Sequence, residues 1–174
     1  MEAKRAGELM IPLDKYPHIP YWFTLRQAIA EMEKAEIEVK GRKSLPRTVL
    51  VFNEAYELLG MVRRRDIFRG LEPRFLAGEP MEYRKKLFDV KVDPNLAELS
   101  ADKMIQGLRE QAERPVSEVM IPIVATVDHD DHLMKVLYEL VGNDISLIPV
   151  LKDNKVVGVV RSVDVLHEIA QILL

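Results

Sequence analysis

Hydrophobic and polar positions follow the same order in two parts of the chain. In the second part, an apolar stripe at helical spacing precedes two short apolar runs, residues 145–151 and 156–160, on either side of a polar turn. This order predicts an amphipathic helix followed by a β-hairpin. Gly142 is expected to end the helix in the left-handed conformation. The residues of the stripe are Leu133, Val136, Leu137, Leu140 and Val141.

A second helix is predicted to follow this hairpin. Ser162 has the position of an N-cap residue, and the apolar side chains of the next turns are expected to face the core. In the first part of the chain, Thr24 and Gln27 have the spacing of a capping box at the start of the corresponding helix. The inward-facing positions predicted for the last helix are Val165, Leu166, Ile169 and Leu173.

Three segments recur at matching positions, which indicates a tandem duplication. GELMIP recurs as SEVMIP, TLRQAIAEM has the apolar spacing of HLMKVLYEL, and one strand–turn–strand–helix pattern occurs twice. The chain is therefore divided into a first repeat (repeat 1, residues 7–71), an inter-repeat segment (72–115) and a second repeat (repeat 2, residues 116–174). The paired segments are 7–12 with 117–122, 24–32 with 132–140, and 48–68 with 147–166.

The inter-repeat segment belongs to neither copy. Ser100 is predicted to cap a helix that stops before Pro115, and residues 78–87 are predicted to form a further helix. We expect this segment to pack on the repeats or at a subunit contact. Within repeat 1, the polar stretch 39–47 is predicted to be a loop between the helix and its strand.

Composition limits the possible functions. The 174 residues include 48% hydrophobic and 30% charged residues, carry a net charge of −3 and contain no cysteine. A slightly acidic chain is not typical of a nucleic-acid-binding protein, and cysteine-based zinc sites are impossible. The amino terminus lacks the apolar stretch of a signal peptide, and no apolar run is long enough to span a membrane, so we expect a cytoplasmic protein.

An arginine and an aspartate recur three residues apart where each repeat's last strand meets its last helix. They are Arg63 and Asp66 in repeat 1, and Arg161 and Asp164 in repeat 2. An aspartate in a first helical turn is favoured by the helix dipole, so one such residue needs no functional explanation. Its recurrence at the same point in both repeats favours a functional interpretation.

The repeated order of helix, hydrophobic–Pro–Val strand, turn, Gly–hydrophobic–hydrophobic strand and Asp-initiated helix resembles the CBS (cystathionine beta-synthase type) domain. The resemblance covers both repeats, about two thirds of the chain, and is closest in repeat 2; in repeat 1, Leu50 replaces the Pro found at Pro149. It implies an α+β fold of α/β-type repeats, in which two β-α-β-β-α units are related by a pseudo-twofold axis. Two such repeats form a Bateman module with two clefts between them.

The resemblance also implies a ligand site in each cleft. Asp66 and Asp164 correspond to the family's ribose-binding aspartates. The ligand's adenine would contact the early strand and the strand after the helix of the other repeat. One adenine pocket then corresponds to Val124, Ala125, Ile145, Ser146 and Leu147, and the other to Tyr16, Pro17, Arg47 and Thr48.

The sequence departs from the nucleotide-binding pattern at four positions. Many such members have Ser or Thr where this chain has Arg63, Arg161, Ile11 and Ile121. One interpretation is that the arginines bind phosphate in place of the hydroxyls, since a guanidinium forms bidentate contacts with phosphate oxygens. The alternative is that the sites are degenerate and the arginines pair with nearby carboxylates.

We therefore predict a regulatory, non-enzymatic module that binds AMP, ADP or ATP for energy sensing and signals to an unknown protein effector, with no required cofactor. The resemblance implies a homodimer. Two alternatives stay open: an interaction module with empty clefts, and a sensor of S-adenosylmethionine. The sequence contains no Gly-rich phosphate loop, nucleophile elbow or catalytic cysteine.

Three other signals are given less weight. The stretch 128–132, DHDDH, directly precedes a helix, where acidic residues act as caps, so no metal site is predicted. The run at 63–66, RRRD, is assigned to a solvated face or an anion pocket rather than to nucleic-acid binding. Trp22 is expected to lie outside the core, at an interface.

Overall fold

The computed structural model describes residues 2–72 and 94–174, and only the backbone of residues 94–100. The predicted helix at 78–87 lies outside the described residues. In the described part, the helices are α1 (Ala6–Leu9), α2 (Leu25–Lys34), α3 (Arg64–Leu71), α4 (Pro94–Gln111), α5 (Leu133–Gly142) and α6 (Ser162–Leu173). The strands are β1 (Ile11–Pro12), β2 (His18–Pro20), β3 (Ile37–Val39), β4 (Arg42–Ser44), β5 (Thr48–Phe52), β6 (Leu58–Arg63), β7 (Val127–Asp128), β8 (Leu147–Lys152) and β9 (Lys155–Arg161).

Each repeat contains a parallel strand pair joined through a helix, followed by an antiparallel hairpin. In repeat 1, β2 pairs parallel with β5 and β5 pairs antiparallel with β6. In repeat 2, β7 pairs parallel with β8 and β8 antiparallel with β9. The predicted α+β fold with a β-α-β-β-α order is confirmed. The turn between β8 and β9 uses Asp153 and Asn154, whose φ angles of 52° and 62° suit a two-residue hairpin turn.

The beginning of each repeat packs on the sheet of the other repeat. Strand β1, from the MIP sequence of repeat 1, pairs antiparallel with β9 of repeat 2. The MIP sequence of repeat 2 pairs with β6, because Met61 and Ile121 exchange two backbone hydrogen bonds of 3.0 and 2.9 Å. Glycines permit this approach, since a Cβ at Gly60 would lie 2.4 Å from the Ile121 oxygen and one at Gly158 would lie 2.5 Å from the Ile11 oxygen.

The opening segment of each repeat also contributes to the hydrophobic core of the other repeat. Ala6 and Leu9 pack with the buried residues of repeat 2, and Val116 and Val119 pack with those of repeat 1. A third cluster lies between the repeats and joins residues from both sheets. Its buried members are Ile11, Tyr16, Ile37, Leu50, Phe52, Met61, Leu147 and Val159. The repeats are therefore held together by shared strands and by a shared core.

The end of the inter-repeat segment packs on repeat 1. The backbone N–H groups of Leu25 and Arg26 donate to carbonyls of residues 114 and 112 at 2.9 Å. The Arg114 guanidinium donates to the Gly70 carbonyl at 3.1 Å. Helix α4 spans Pro94–Gln111, so Ser100 lies inside the helix and is not its N-cap. Strong helix formers on the N-terminal side of Ser100 extend the helix past the predicted start.

Several local predictions are corrected by the structure. The capping box of Thr24 and Gln27 is confirmed. In α6 the N-cap is Arg161, and Ser162 is the first helical residue. Gly142 lies within α5, and Asp144 adopts the positive φ instead. Leu166 and Leu173, which were predicted to face inward, are exposed by 67% and 75%, and Val141 of the predicted apolar stripe is exposed by 72%.

The polar stretch predicted as a loop forms a hairpin. Strands β3 and β4 pair antiparallel, with Val39 opposite Arg42. The turn residues Lys40 and Gly41 have φ angles of 51° and 78°, and two positive φ angles are what a type I′ turn requires. Ile37 is buried in the inter-repeat cluster and anchors the hairpin to the rest of the protein.

Candidate functional site

The strand-to-helix junction of each repeat holds an arginine and an aspartate in a bidentate ion pair. In repeat 2, Arg161 Nε and Nη2 donate to the two Asp164 carboxylate oxygens at 2.7 and 2.9 Å. In repeat 1, Arg63 Nε and Nη2 donate to Asp66 at 2.9 and 3.0 Å. The geometry arises because each arginine is the N-cap residue and each aspartate is in the first helical turn.

Asp66 is enclosed by its partners. Its side chain is fully buried, and it also accepts the backbone N–H of Arg63 at 2.9 Å and lies 3.3 Å from Arg69 Nη2. Burial alone would raise the pKa of the Asp66 carboxyl, but the hydrogen bonds and charge of Arg63, with the charge of Arg69, outweigh burial and lower the pKa. Asp66 is therefore a buried, ionised carboxylate with several donors.

Asp164 lies in an open cleft between the repeats, which we call cleft 1. Cleft 1 has a volume of about 390 Å³, within the usual range of small-molecule sites. Asp164 and Arg161 retain 12% and 15% side-chain exposure. The residues of repeat 2 that line it are Ser146, Leu147, Arg161, Ser162, Val163, Asp164 and His167, and those of repeat 1 are Tyr16, Val39, Arg42, Lys43, Ser44, Leu45, Arg47 and Thr48.

Tyr16 and Thr48 form a rigid part of the wall of cleft 1. The Tyr16 hydroxyl donates to the Thr48 carbonyl at 2.5 Å, and both residues are buried. Burial raises the pKa of the Tyr16 hydroxyl, and the charge of Arg161 only partly opposes this. The tyrosine is therefore neutral at physiological pH and holds the backbone of β5 against the cleft.

A second cleft, cleft 2, is also lined by both repeats and has a volume of about 490 Å³. It shares Arg47, Thr48, Ser146 and Leu147 with cleft 1. Asp66 does not line it, since its carboxylate is covered by Arg63. The remaining lining residues are Met61, Arg63, Arg64, Arg65, Phe68, Ile121, Asp144 and Ile145.

The structure brings together most of the residues predicted to bind the ligand. Tyr16, Arg47 and Thr48 of repeat 1 meet Arg161 and Asp164 of repeat 2 in cleft 1. Across cleft 2, Arg63 faces a set from repeat 2, namely Ile145, Ser146 and Leu147. Each junction thus places its arginine in a cleft that is also lined by the other repeat.

Besides Asp66, three predicted residues lie apart from the cleft linings. Val124 is 59% exposed, and Ala125 packs against the core of repeat 2. The Pro17 carbonyl accepts the backbone N–H of Leu50 at 3.3 Å, so this proline has a backbone role in β-sheet pairing. Neither cleft is lined by any of these three.

The β3–β4 hairpin is a part of the site that was not predicted from the sequence. Arg42, Lys43 and Ser44 line cleft 1, and Ser44 Oγ accepts a hydrogen bond of 2.9 Å from Arg161 Nη1. A usable signal was present, since the Lys40–Gly41 pair between two short polar–apolar strands is typical of a two-residue hairpin turn. The largely polar composition of β4 obscured it.

Three side chains of the stretch 128–132, those of Asp128, Asp131 and His132, accept hydrogen bonds from backbone N–H groups. Asp131 accepts the backbone N–H of Asp128 at 2.8 Å, and His132 Nδ1 accepts that of Met134 at 3.2 Å as an N-cap. Within residues 2–72 and 94–174, no group of three His, Asp or Glu side chains is arranged to hold a metal ion. In the same part of the chain, no helix is both long and apolar enough to span a bilayer.

The family comparison bears on repeat 2. Residues 116–171 match the family model of the CBS domain. This match confirms, for repeat 2, the resemblance inferred from the sequence. No curated protein sequence matches the chain.

Solved structures extend the comparison to both repeats. The CBS domain of a CBS domain-containing membrane protein from Sphaerobacter thermophilus is 18% identical, with a TM-score of 0.64, and the match covers 95% of this chain and 88% of that one. The structure of CBSX2 in complex with AMP is 17% identical, with a TM-score of 0.60 and 97% coverage of both chains. The fold of the chain is that of a tandem CBS module.

The cytosolic domain of the Mg²⁺ channel MgtE, solved in complex with ATP, is a further similar structure. It is 19% identical, with a TM-score of 0.58, and the match covers 95% of this chain but only 49% of that one. At this identity the likeness concerns the fold alone.

Proposed function

We propose that the protein is a regulatory CBS-pair module that binds one adenine nucleotide per chain in cleft 1. The observation that carries the proposal is the position of Asp164, a partly exposed carboxylate that faces Tyr16, Arg47 and Thr48 of the other repeat across an open cleft. The similar structures that contain AMP and ATP support the choice of ligand class.

Binding would exchange the partners of the Arg161–Asp164 ion pair. The ribose hydroxyls donate to Asp164, and the released Arg161 guanidinium donates to phosphate oxygens, so both charges keep hydrogen-bonded partners. The adenine contacts Tyr16, Thr48 and Leu147, which combine a rigid backbone with apolar surface. In cleft 2 the enclosure of Asp66 by Arg63 disfavours the same exchange.

A ligand that contacts both repeats favours one arrangement of the repeats over the other. It shifts the equilibrium between the two arrangements only by its difference in affinity for them. We propose that the change is passed to a protein effector in the cytoplasm, and that the module acts as a homodimer in energy sensing. The outer face of α5 supports a protein contact, since Met134, Tyr138 and Val141 are 59%, 73% and 72% exposed at helical spacing.

A second candidate function is an interaction module with empty clefts. It is favoured by the two ion pairs, in which each aspartate is already satisfied by its own arginine. In that case the exposed apolar surface of repeat 2 would be the active feature.

Thermal unfolding with and without AMP, ADP and ATP distinguishes the two candidates. A nucleotide at 100 times its dissociation constant is expected to add about 2.7 kcal/mol of stability to the wild type. Asp164→Ala should abolish this gain, because it removes the ribose acceptor, whereas Asp144→Ala in cleft 2 is the matched control and should preserve it. An equal gain in Asp164→Ala would contradict the assignment to cleft 1, and no gain in the wild type would favour the interaction module.

A further inference from the structure

The β3–β4 hairpin belongs to repeat 1 but is fixed to repeat 2. Ser44 accepts a hydrogen bond from Arg161, and Lys40 Nζ lies 3.5 Å from Glu168 on α6. Ile37 is 2% exposed in the inter-repeat core. Repeat 2 has no equivalent, since only residues 143–146 separate α5 from β8 where repeat 1 has residues 35–47. The hairpin therefore makes cleft 1 chemically different from cleft 2.

Alternation along β4 directs its side chains to opposite faces. Arg42 and Ser44 share a face, because neighbours two apart on a strand point the same way. Ser44 contacts Arg161, so this face is turned towards cleft 1. Lys43 pairs with Glu36 at 3.5 Å, and both side chains are more than half exposed, so this ion pair contributes little.

The charge of cleft 1 is strongly positive although the whole chain is slightly acidic. Among its described lining residues, the cations are Arg42, Lys43, Arg47 and Arg161, and the carboxylate is Asp164. Asp164 is neutralised by Arg161. Within the described part of the chain, the guanidiniums of Arg42 and Arg47 make no hydrogen bond or ion pair with another side chain, so both are available to an anion.

We infer that the hairpin is a specificity element that selects a ligand with two or more phosphates in cleft 1, with Arg42 and Arg47 as the phosphate-binding residues. This inference rests on the proposed function and extends it to the ligand's charge. Two free guanidiniums beyond Arg161 suit the extra phosphates of ADP and ATP, since each guanidinium can bind phosphate oxygens in a bidentate manner. The same cations disfavour S-adenosylmethionine, whose sulfonium is positive.

Isothermal titration calorimetry of the whole chain tests the inference with AMP, ADP, ATP, S-adenosylmethionine and inorganic tripolyphosphate. For the wild type we expect affinity to rise from AMP to ATP, with no binding of S-adenosylmethionine. Arg42→Ala should weaken ATP binding about tenfold and AMP binding much less. Arg109→Ala removes an exposed arginine of α4, outside both clefts, and should leave every affinity unchanged.

The outcomes separate this inference from the proposed function. If nucleotides bind but Arg42→Ala binds ATP as tightly as the wild type, or affinity does not depend on phosphate number, the specificity role of the hairpin is wrong while the proposed function stands. If tripolyphosphate binds in an Arg42-dependent way and no nucleotide does, the phosphate site stands and the adenine assignment fails. If nothing binds the wild type, both are wrong. Because Arg42 is exposed, an unchanged melting curve without ligand will show that the variant is folded.

Discussion

The two repeats carry the same arginine–aspartate pair in different surroundings. In repeat 1, Asp66 is fully buried and has Arg63, a backbone N–H and Arg69 as partners. In repeat 2, Asp164 keeps part of its surface in an open cleft, beside a hairpin inserted from the other repeat. One sequence motif thus occurs in two environments: an enclosed carboxylate at a helix start in repeat 1, and a partly exposed carboxylate in a cleft in repeat 2.

The outer faces of the equivalent helices differ as well. Arg26, Ala30 and Glu33 of α2 correspond in the aligned repeats to Met134, Tyr138 and Val141 of α5. Arg26 forms an ion pair of 2.6 Å with Glu113 at the end of the inter-repeat segment. The outer face of α2 in repeat 1 is therefore polar and contacts the inter-repeat segment. The outer face of α5 in repeat 2 is apolar and exposed to solvent.

The largest expected effect is on the free energy of unfolding, which should fall more when Asp66 is replaced than when Asp164 is. Asp66→Ala should lower the free energy of unfolding by about 3 kcal/mol, because it removes a buried carboxylate and leaves Arg63 and a backbone N–H without their acceptor. Asp164→Ala should lower it by about 2 kcal/mol, since its more exposed site admits water and Arg161 keeps Ser44. Chemical denaturation of both variants without ligand measures the difference. An equal or larger loss of stability for Asp164→Ala would show that the ion pair of repeat 1 does not contribute more to stability than that of repeat 2.

A smaller effect is expected on association. Tyr138→Glu places a charge on the apolar face of α5 and should weaken the proposed homodimer about thirtyfold, close to 2 kcal/mol. Ala30→Glu makes a matched change at the equivalent exposed position of α2 and should leave association unaltered. Light scattering over a concentration series measures the two dissociation constants. If Ala30→Glu disrupts association as much as Tyr138→Glu, the contact involves repeat 1.

The smallest expected effect is on the stability of the protein in acid. It involves the carboxylate of Glu168, which has no counterpart in repeat 1. Glu168 is 7% exposed and pairs with Lys4 at 3.0 Å and Lys40 at 3.5 Å, whereas the aligned position is Gly70. Burial alone would raise the pKa of Glu168, but the two lysines outweigh burial and lower it from the usual 4.5. Its contribution, about 1 kcal/mol, should therefore be complete above pH 4.5 and be lost as the pH falls below it.

Denaturation curves from pH 7 to pH 3 will test this assignment. Glu168→Gln should lose stability at neutral pH and depend less on pH than the wild type below 4.5. Glu113→Gln, which changes an exposed carboxylate at the end of the inter-repeat segment, is the control and should follow the wild type. Parallel curves for the wild type and Glu168→Gln would mean that the lysines do not hold Glu168 ionised.

The sequence predicted the repeated elements because their hydrophobic periods are strong and occur twice. The β8–β9 hairpin and the Thr24 capping box depend on local signals, and both were predicted correctly. The exposure of Leu166 was not predictable from the period of α6 alone, since an apolar residue at helical spacing does not reveal whether a second layer covers it. Burial of such positions depends on tertiary and quaternary packing.

The candidate site was predictable only in part for a related reason. The duplicated Asp66 and Asp164 were identifiable from their positions, but nothing local distinguishes the enclosed carboxylate from the open one. The difference arises from distant partners: Arg69 closes the first, and the hairpin with Ser44 stands beside the second. A sequence comparison within one chain detects equivalent positions but not the contacts that make them different.

The exchange of the opening segments between the repeats also constrains how the chain folds. The sheet of repeat 2 gains β1 from the other end of the sequence, and the core of repeat 1 requires Val116 and Val119. Backbone hydrogen bonds such as that from Ala6 to the carbonyl of Asp131, 2.8 Å long, close very long loops. Native contacts of high sequence separation slow folding, because loop-closure entropy is lost before the contacts stabilise the chain. We therefore expect the two repeats to fold as one cooperative unit and only after repeat 2 has left the ribosome.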